Sequence, residues 1–421
     1  MNQTKLTVNN STPNSSSAWV ESVQLLKSKR FGTFWFANFL SNIGTWSQQV
    51  AQPWVLLSLG APPLILGLDA LALGAPVLLL TLLGGLLADK ADRRKVIAIC
   101  QLIQMLCPII LVLMLFLQLI SPWMIVCLSL IIGVTDALSM PSFQTILSSI
   151  VSKDQIPSAL ALNSTQFNLT RIIGPAIAGI LLVSVGAIGC FAISATSYIP
   201  FIFVALWILP THIPKPRDIH NRHQTISTGV TEIIKIPYLR GGLVTALLSS
   251  FLCGPLVTFS SVLVKNVFFG NALEFSVAMS SFGIGALLGA ICLVFLNPKL
   301  DRRLIASSLA IFLGLSLILV GLNPWNQLFP ILMIFAGFSM IVTNISVNTL
   351  IQTHAPDLLR GQAISLFMLA SRGGVAMGAF VTGGSIHLVG IRNTLIINGS
   401  IAILLQTIVF LNWIKKRQVL I

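Results

Sequence analysis

The chain has 421 residues, of which 55% are hydrophobic and 9% charged, with a mean hydropathy of +0.92. A soluble domain carries about 25% charged residues, so this mixture excludes a water-covered globule and makes the lipid bilayer the solvent. The net charge of +14 does not indicate a nucleic-acid partner, because Lys and Arg fall in the breaks between apolar runs instead of gathering on one face.

The first 30 residues form a polar tail rich in Ser, Thr and Asn, with no apolar core behind a basic start, so a cleaved signal peptide is not expected. Six apolar runs of helix length follow at roughly 32–57, 63–88, 95–118, 122–148, 159–184 and 187–209. Turn signals such as Gly60-Ala61-Pro62-Pro63 and Ser121-Pro122 separate them. A polar interruption at 210–238 holds Pro210, Pro214, Pro216, His212, His220 and His223 and is read as a linker without a globular domain; its histidines are read as solvated side chains, not a metal site. Six more runs lie at roughly 239–265, 272–296, 303–322, 327–352, 361–386 and 392–414, before a short tail at 415–421. The expectation is an all-α membrane protein of twelve transmembrane helices, arranged as two six-helix bundles over 31–209 and 239–414.

Charge alternates from break to break. One set carries Lys27, Lys29 and Arg30; Lys90, Arg93, Arg94 and Lys95; Lys153; Lys215, Arg217, Arg222, Lys235 and Arg240; Lys299, Arg302 and Arg303; Arg360; and Lys415, Lys416 and Arg417. The other set has little beyond Lys265 and Arg392. The positive-inside rule makes the first set cytoplasmic, which puts both termini inside and requires an even helix count. The halves also repeat: a polar helix end, a short loop and a helix with a mid-span arginine recur, ending at Arg171 in one half and Arg372 in the other. Parallel repeats of this kind place a binding site between the halves at mid-membrane.

Ionisable residues inside apolar helices cost about 2.5–3.5 kcal/mol each at a helix centre and therefore face a partner or a wet cavity. Asp69, Asp136, Arg171 and Arg372 are such residues. Asp136 and Arg171 sit at similar depth on neighbouring helices and are expected to interact or share a cavity, either as a static ion pair or with Asp136 as a proton carrier. Asp69 lies nearer the outer end and is expected to help close an external gate. In the first helix, Asn38, Asn42, Thr45, Gln49 and Gln52 recur every three or four residues beside Trp46, so that their amides share one face. That face either lines a cavity for a polar substrate or forms an interhelical hydrogen-bond seam. Asn163, Gln166, Asn168, Asn344, Asn348, Ser371 and Phe367 extend the candidate cavity, where the two arginines would attract an anionic substrate.

Six cysteines fall in apolar segments without metal-ligand spacing, so no metal, disulfide framework or cofactor is expected. The spans hold no Glu or His cluster and no nucleophile, base and acid set, which argues against an integral membrane enzyme.

The loop "GGLLADKADRRKV" carries Gly85, Asp89, Lys90, Arg93 and Arg94. These residues resemble the gating signature of the major facilitator superfamily, with Asp92 where the general signature has Gly. That departure is similar to the branch of the enterobactin exporter and the macrolide efflux proteins, and so are "SNIGTWSQQVAQPWVLLSLG", "ALNSTQFNLTRIIGPAIAG" and "RGQAISLFMLASRGGVAMGAF". The resemblance covers most of the chain after residue 30. It implies an alternating-access transporter, usually a proton-coupled exporter, with siderophore export and macrolide or multidrug efflux as alternative cargoes. It further implies a bacterial inner-membrane location. Gly85 is expected to permit close helix packing, and the basic cluster to hold one bundle against the other. The helix-5 motif Gly174, Pro175 and Gly179 resembles that of such exporters, its glycines admitting a neighbouring backbone. Nothing in the sequence forces assembly, so a monomer is expected.

Overall fold

The structure is a computed structural model, and it describes residues 22–211, 226–297, 300–356 and 359–419. The N-terminal tail up to residue 21 and the linker histidines lie outside the described residues. Twelve long helical segments follow in order: α1 Lys29–Ser58, α2 Pro63–Lys90, α3 Arg93–Phe116, α4 Pro122–Ser149, α5 Ile156–Ser184, α6 Ala187–Trp207, α7 Pro237–Val267, α8 Ala272–Phe295, α9 Arg302–Leu322, α10 Phe329–His354, α11 Arg360–Val389 and α12 Ile391–Val419. Among the described residues eleven helices are long and apolar enough to cross a membrane, and they include every segment from α2 onward. The exception, α1, has 30 residues; its amide stripe keeps it too polar for that criterion.

Local chemistry explains the helix starts. Ser28 and Ser121 accept from the backbone N–H groups of Phe31 and Met124, and Asn271 forms a reciprocal capping box with Glu274. Asp92 caps α3 by accepting from the Arg94 N–H, and Asp301 caps α9 by accepting from the Arg303 N–H. Asp-Arg-Arg thus opens the third helix of both halves, and the repeat is built into the caps.

The two halves bend their helices differently. Each of α1 to α6 contains an interior proline: Pro53, Pro76, Pro108, Pro141, Pro175 and Pro200. The second half has an interior proline in α7, Pro255, and also widens α7 into π-turns at Ser249–Cys253 and Leu263–Val267, and α11 at Leu369–Gly373. Both devices free backbone groups and bend the helix, and a membrane helix tolerates them only where neighbouring segments re-satisfy those groups.

Large apolar side chains stay exposed along the outside, among them Phe116, Val294, Phe295 and Leu388, each at least 75% exposed. Such a surface would aggregate in water and suits lipid. Trp123, Trp207 and Trp325 are exposed near helix ends, where indoles favour the membrane interface. One finding was not expected from the sequence: Ile226–Lys235, inside the linker, is a helix that packs against α7 and the start of α11, with Ile233 fully buried.

The halves meet along two seams, α2 with α11 and α5 with α8. A Cβ on Gly67 would lie 2.5 Å from the Ala379 carbonyl, and one on Gly74 would lie 2.5 Å from Ala376 Cβ. A Cβ on Gly383 would lie 2.8 Å from the Pro63 carbonyl. On the other seam Gly179 abuts Ser276, and Gly283 abuts the Arg171 carbonyl. Trp54 of α1 stacks on Phe275 of α8, with ring centroids 5.8 Å apart. These contacts run from the weakly charged end as far as mid-helix, where Gly283 meets Arg171. Toward the basic end α2 exposes Leu79, Leu83 and Leu86, and the first segment of α11 packs on elements of its own half. The bundles are therefore shut at the weakly charged end and apart at the basic end.

Candidate functional site: a charged cavity between two helical bundles

Helix α1 supplies the first wall. Asn38 Nδ2 donates to Gln166 Oε1 at 2.9 Å, and Asn42 Nδ2 donates to the Asn38 carbonyl at 2.9 Å. Thr45 shares a hydrogen bond with the Tyr198 hydroxyl. Much of the amide stripe therefore forms a hydrogen-bonded seam with α5 and α6. Gln49 is exposed, while Gln52 turns into a buried cluster at the weakly charged end. Asn163 and Phe367 are half-buried. The Asn168 side chain lies outside the described residues.

Arg171 sits near mid-helix on α5 among three aromatic rings. Its guanidinium carbon lies 5.4 Å from the Trp46 ring centroid, 5.9 Å from that of Phe167 and 6.0 Å from that of Phe282. Phe282 belongs to the other bundle, so the cage bridges both halves. Cation–π contacts of this kind are worth about 0.5–2 kcal/mol each, depending on desolvation. They hold the cation without consuming its five N–H donors, which stay available to a planar anion.

Asp136 lies near mid-helix on α4 and accepts from Gln104 Nε2 at 2.8 Å. Gln104 also donates to Thr135 Oγ1 and accepts from Gln101. Arg372, on α11 of the other half, acts on Asp136 from a distance, with no ion pair between them among the described residues. Among the described residues no ion pair joins Asp136 to Arg171, the static pairing that was one of the two expectations. Depth along the axis is similar for all three charges, but the rotation of α5 turns Arg171 toward the aromatic rings of α1 and α8. Arg372 is exposed and lies in the π-turn of α11. Beside it Ser371 Oγ donates to Asn344 Oδ1 at 3.5 Å, and Asn344 also donates to the Met340 carbonyl. Asn348 accepts from Gln352.

Asp69 is 9% exposed. Gln52 Nε2 donates to both of its oxygens, at 2.9 and 2.8 Å, and Ser129 Oγ lies 2.6 Å from Oδ1. Gln48 joins this cluster to Ser194 of α6. Gln48, Ser129, Ser194 and Gln104 were not singled out from the sequence. Gln104 was detectable as an amide in an apolar run, whereas serines in membrane helices are too common to signal anything.

At the basic end Arg93 Nε donates to the Ala88 carbonyl at 2.9 Å, and Arg94 Nε pairs with Asp92 Oδ2 at 2.8 Å. Asp92, the departure from the general signature, thus both caps α3 and fixes Arg94. Asp89 is half-buried and Lys90 exposed. Gly85 does not perform the expected close packing: a Cβ there would have nothing within 4 Å, because its face looks toward the open basic end. The close approach belongs to Gly84, which abuts the Ala137 carbonyl of α4. Gly174 and Gly179 do pack closely, the first on Trp46 and the second on Ser276. Pro175 between them is buried.

Residues 21–418 match a family profile described as "Transmembrane secretion effector" within the major facilitators. The chain belongs to this family. It is 26% identical over 386 residues to the staphyloferrin A transporter of Staphylococcus aureus, covering 90% of this chain and 94% of the relative. It is 26% identical to the enterobactin exporter EntS of Shigella flexneri, covering 87% and 88%. It is 24% identical to the multidrug efflux pump Tap of Mycolicibacterium fortuitum, covering 85% and 90%. Among solved structures, the nucleoside transporter NupG superposes with a TM-score of 0.70 at 16% identity, covering 90% of this chain and 97% of that one. A bacterial homologue of the lysosomal transporter Spinster superposes at 0.71, with 13% identity and coverage of 91% and 96%. This major facilitator is a multi-pass membrane transporter of small molecules and not an enzyme.

Proposed function

We propose that this transporter exports an anionic, metal-chelating small molecule, of the carboxylate- or catecholate-bearing siderophore class, in exchange for protons. The observation that carries this reading is the charge layout between the bundles. Arg171, held by aromatic faces, and Arg372, exposed on α11, flank a space in which Asp136 is the acid acting with Arg372. A cargo anion that engages Arg372 takes the counter-charge of Asp136, and the uncompensated carboxylate then gains a proton. Cargo binding at Arg372 and proton binding at Asp136 are thereby linked, the coupling that a proton-driven transporter requires.

The positive-inside rule makes the basic end cytoplasmic, with both termini inside. The cavity open at that end is then the loading state of an exporter in a bacterial inner membrane, working as a monomer. Relatives named for staphyloferrin A and enterobactin support the cargo class. Efflux of amphipathic drugs is the second reading, favoured by the aromatic cage and by the relative named as a multidrug pump. Mass spectrometry of medium and cells, with and without the gene under iron starvation, separates them. A chelator retained in the deletant cells supports siderophore export. An unchanged profile with new sensitivity to macrolides or dyes supports drug efflux.

A further inference from the structure

Asp69 is a buried acid that the exchange described above does not use. Its surroundings are unlike those of Asp136. The groups in contact with it are Gln52 of α1 and Ser129 of α4. The charged groups on the elements packed around it lie elsewhere. On α4, Asp136 is two turns away toward the basic end, about 10 Å along the axis. On α11, Arg372 acts on Asp136, and His387 is exposed near the helix end. On α7, Lys265 sits over Trp54 and donates to Ser58. Its hydrogen-bonding neighbours, Gln52 and Ser129, are both neutral.

The hydrogen-bond count shows what this cluster can do. Gln52 Nε2 carries two hydrogens but has three oxygens within reach: both of Asp69 and the Ser129 hydroxyl at 2.6 Å. The 2.6 Å contact between Ser129 Oγ and Asp69 Oδ1 works in either direction. With Asp69 ionised, the serine hydroxyl donates to the carboxylate. With a proton on Oδ1, the acid donates to the serine oxygen, and the serine hydrogen turns away. The cluster can therefore gain or lose one proton without moving a heavy atom.

Access is tied to the seam. Asp69 lies in sequence between Gly67 and Gly74, two of the positions at which α2 touches α11. On the other side Gly133 of α4 abuts the Ala72 and Leu73 carbonyls. With the weakly charged end shut, little of Asp69 meets solvent.

We propose that Asp69, clamped by Gln52 and Ser129 beside the α2–α11 seam, binds and releases a proton of its own, separate from Asp136, when the weakly charged end opens. The proton arrives from the aqueous phase at that end, forms the Oδ1–H bond and returns to water when the acid ionises. This extends the proton-exchange reading by adding a second site to the cycle.

Infrared difference spectra of the purified full-length protein in lipid, taken across a pH titration without cargo, test the proposal. A protonated-carboxyl band should persist in Asp136→Asn and disappear in Asp69→Asn, and Ser129→Ala should shift it because its hydrogen-bond partner is gone. A set of carboxyl bands identical in wild type and Asp69→Asn overturns the proposal, as does Ser129→Ala leaving every band in place. Cargo uptake by the same preparations reports separately on the exporter reading, because the titration needs no transport.

Discussion

Gly67→Ala tests whether the closed seam is one state of a two-state machine. The added Cβ would lie 2.5 Å from the Ala379 carbonyl oxygen and 3.0 Å from Phe380 Cα, where ordinary contact begins near 3.4 Å. Both opposing atoms are backbone, so no side chain can swing aside. Relief requires α2 and α11 to part by roughly 0.9 Å, the difference between 3.4 and 2.5 Å. Overpacking of this kind costs about 1–3 kcal/mol. If that cost falls on the shut state alone, the balance between states shifts by about 5- to 150-fold toward the open outer end. Spin labels at exposed positions near the outer ends of α2 and α11 should show a longer distance population growing in the variant. Gly85→Ala serves as the control, since its Cβ has nothing within 4 Å, and alanine is favoured over glycine in a helix by about 1 kcal/mol. Identical distance distributions for Gly67→Ala and wild type would refute the reasoning.

Further substitutions probe the charges. Asp136→Asn keeps the shape and an acceptor for Gln104 but removes the ionisable group, so the protein should insert normally and lose proton-driven transport; full activity in vesicles would remove Asp136 from coupling. Arg171→Ala should lower transport of an anionic cargo about tenfold or more while affecting a neutral one less, and Arg171→Lys should recover only part of it because an ammonium lacks the planar fork; equal losses for both cargoes would assign Arg171 a structural role. Lys265→Gln removes the cation over the Trp54 ring, 5.5 Å from its centroid, and its bond to Ser58. At a partly exposed site these contribute under about 1 kcal/mol, so the outer end should open up to about fivefold more often, which spin labelling at the outer ends of α1 and α7 would report. Unchanged labelling would show that Lys265 does not restrain that end.

Most of the architecture was legible because a bilayer leaves few choices. A run of about 20 apolar residues bounded by Pro, Gly or Asn must be a helix, so the run read at 122–148 is the helix Pro122–Ser149. The depth of the four intramembrane charges followed from counting along each helix. Their partners did not, because rotation about a helix axis is set by packing: Arg171 turned to Trp46 and Phe282, and the hydrogen-bond partner of Asp136 is Gln104 of α3. The same limit explains the exchange of roles between Gly85 and Gly84, one residue and about 100° apart. The stripe on α1 showed where polar contacts would lie, yet its key member Gln52 was completed by Gln48, one position off the stripe, and by serines that look ordinary in sequence. The linker helix at Ile226–Lys235 is amphipathic, but its ten residues are too few to cross a membrane and lie in a stretch rich in prolines and histidines, so the interruption reads as linker throughout.

The most direct test of the whole account is exchange in proteoliposomes that contain the purified transporter, a pH-sensitive dye inside and an iron-free carboxylate chelator on the basic-end side. An imposed proton gradient should drive the chelator across while protons move the opposite way, and a protonophore should stop both. Chelator movement that ignores the gradient, or that travels in the same direction as the protons, would contradict proton-coupled export.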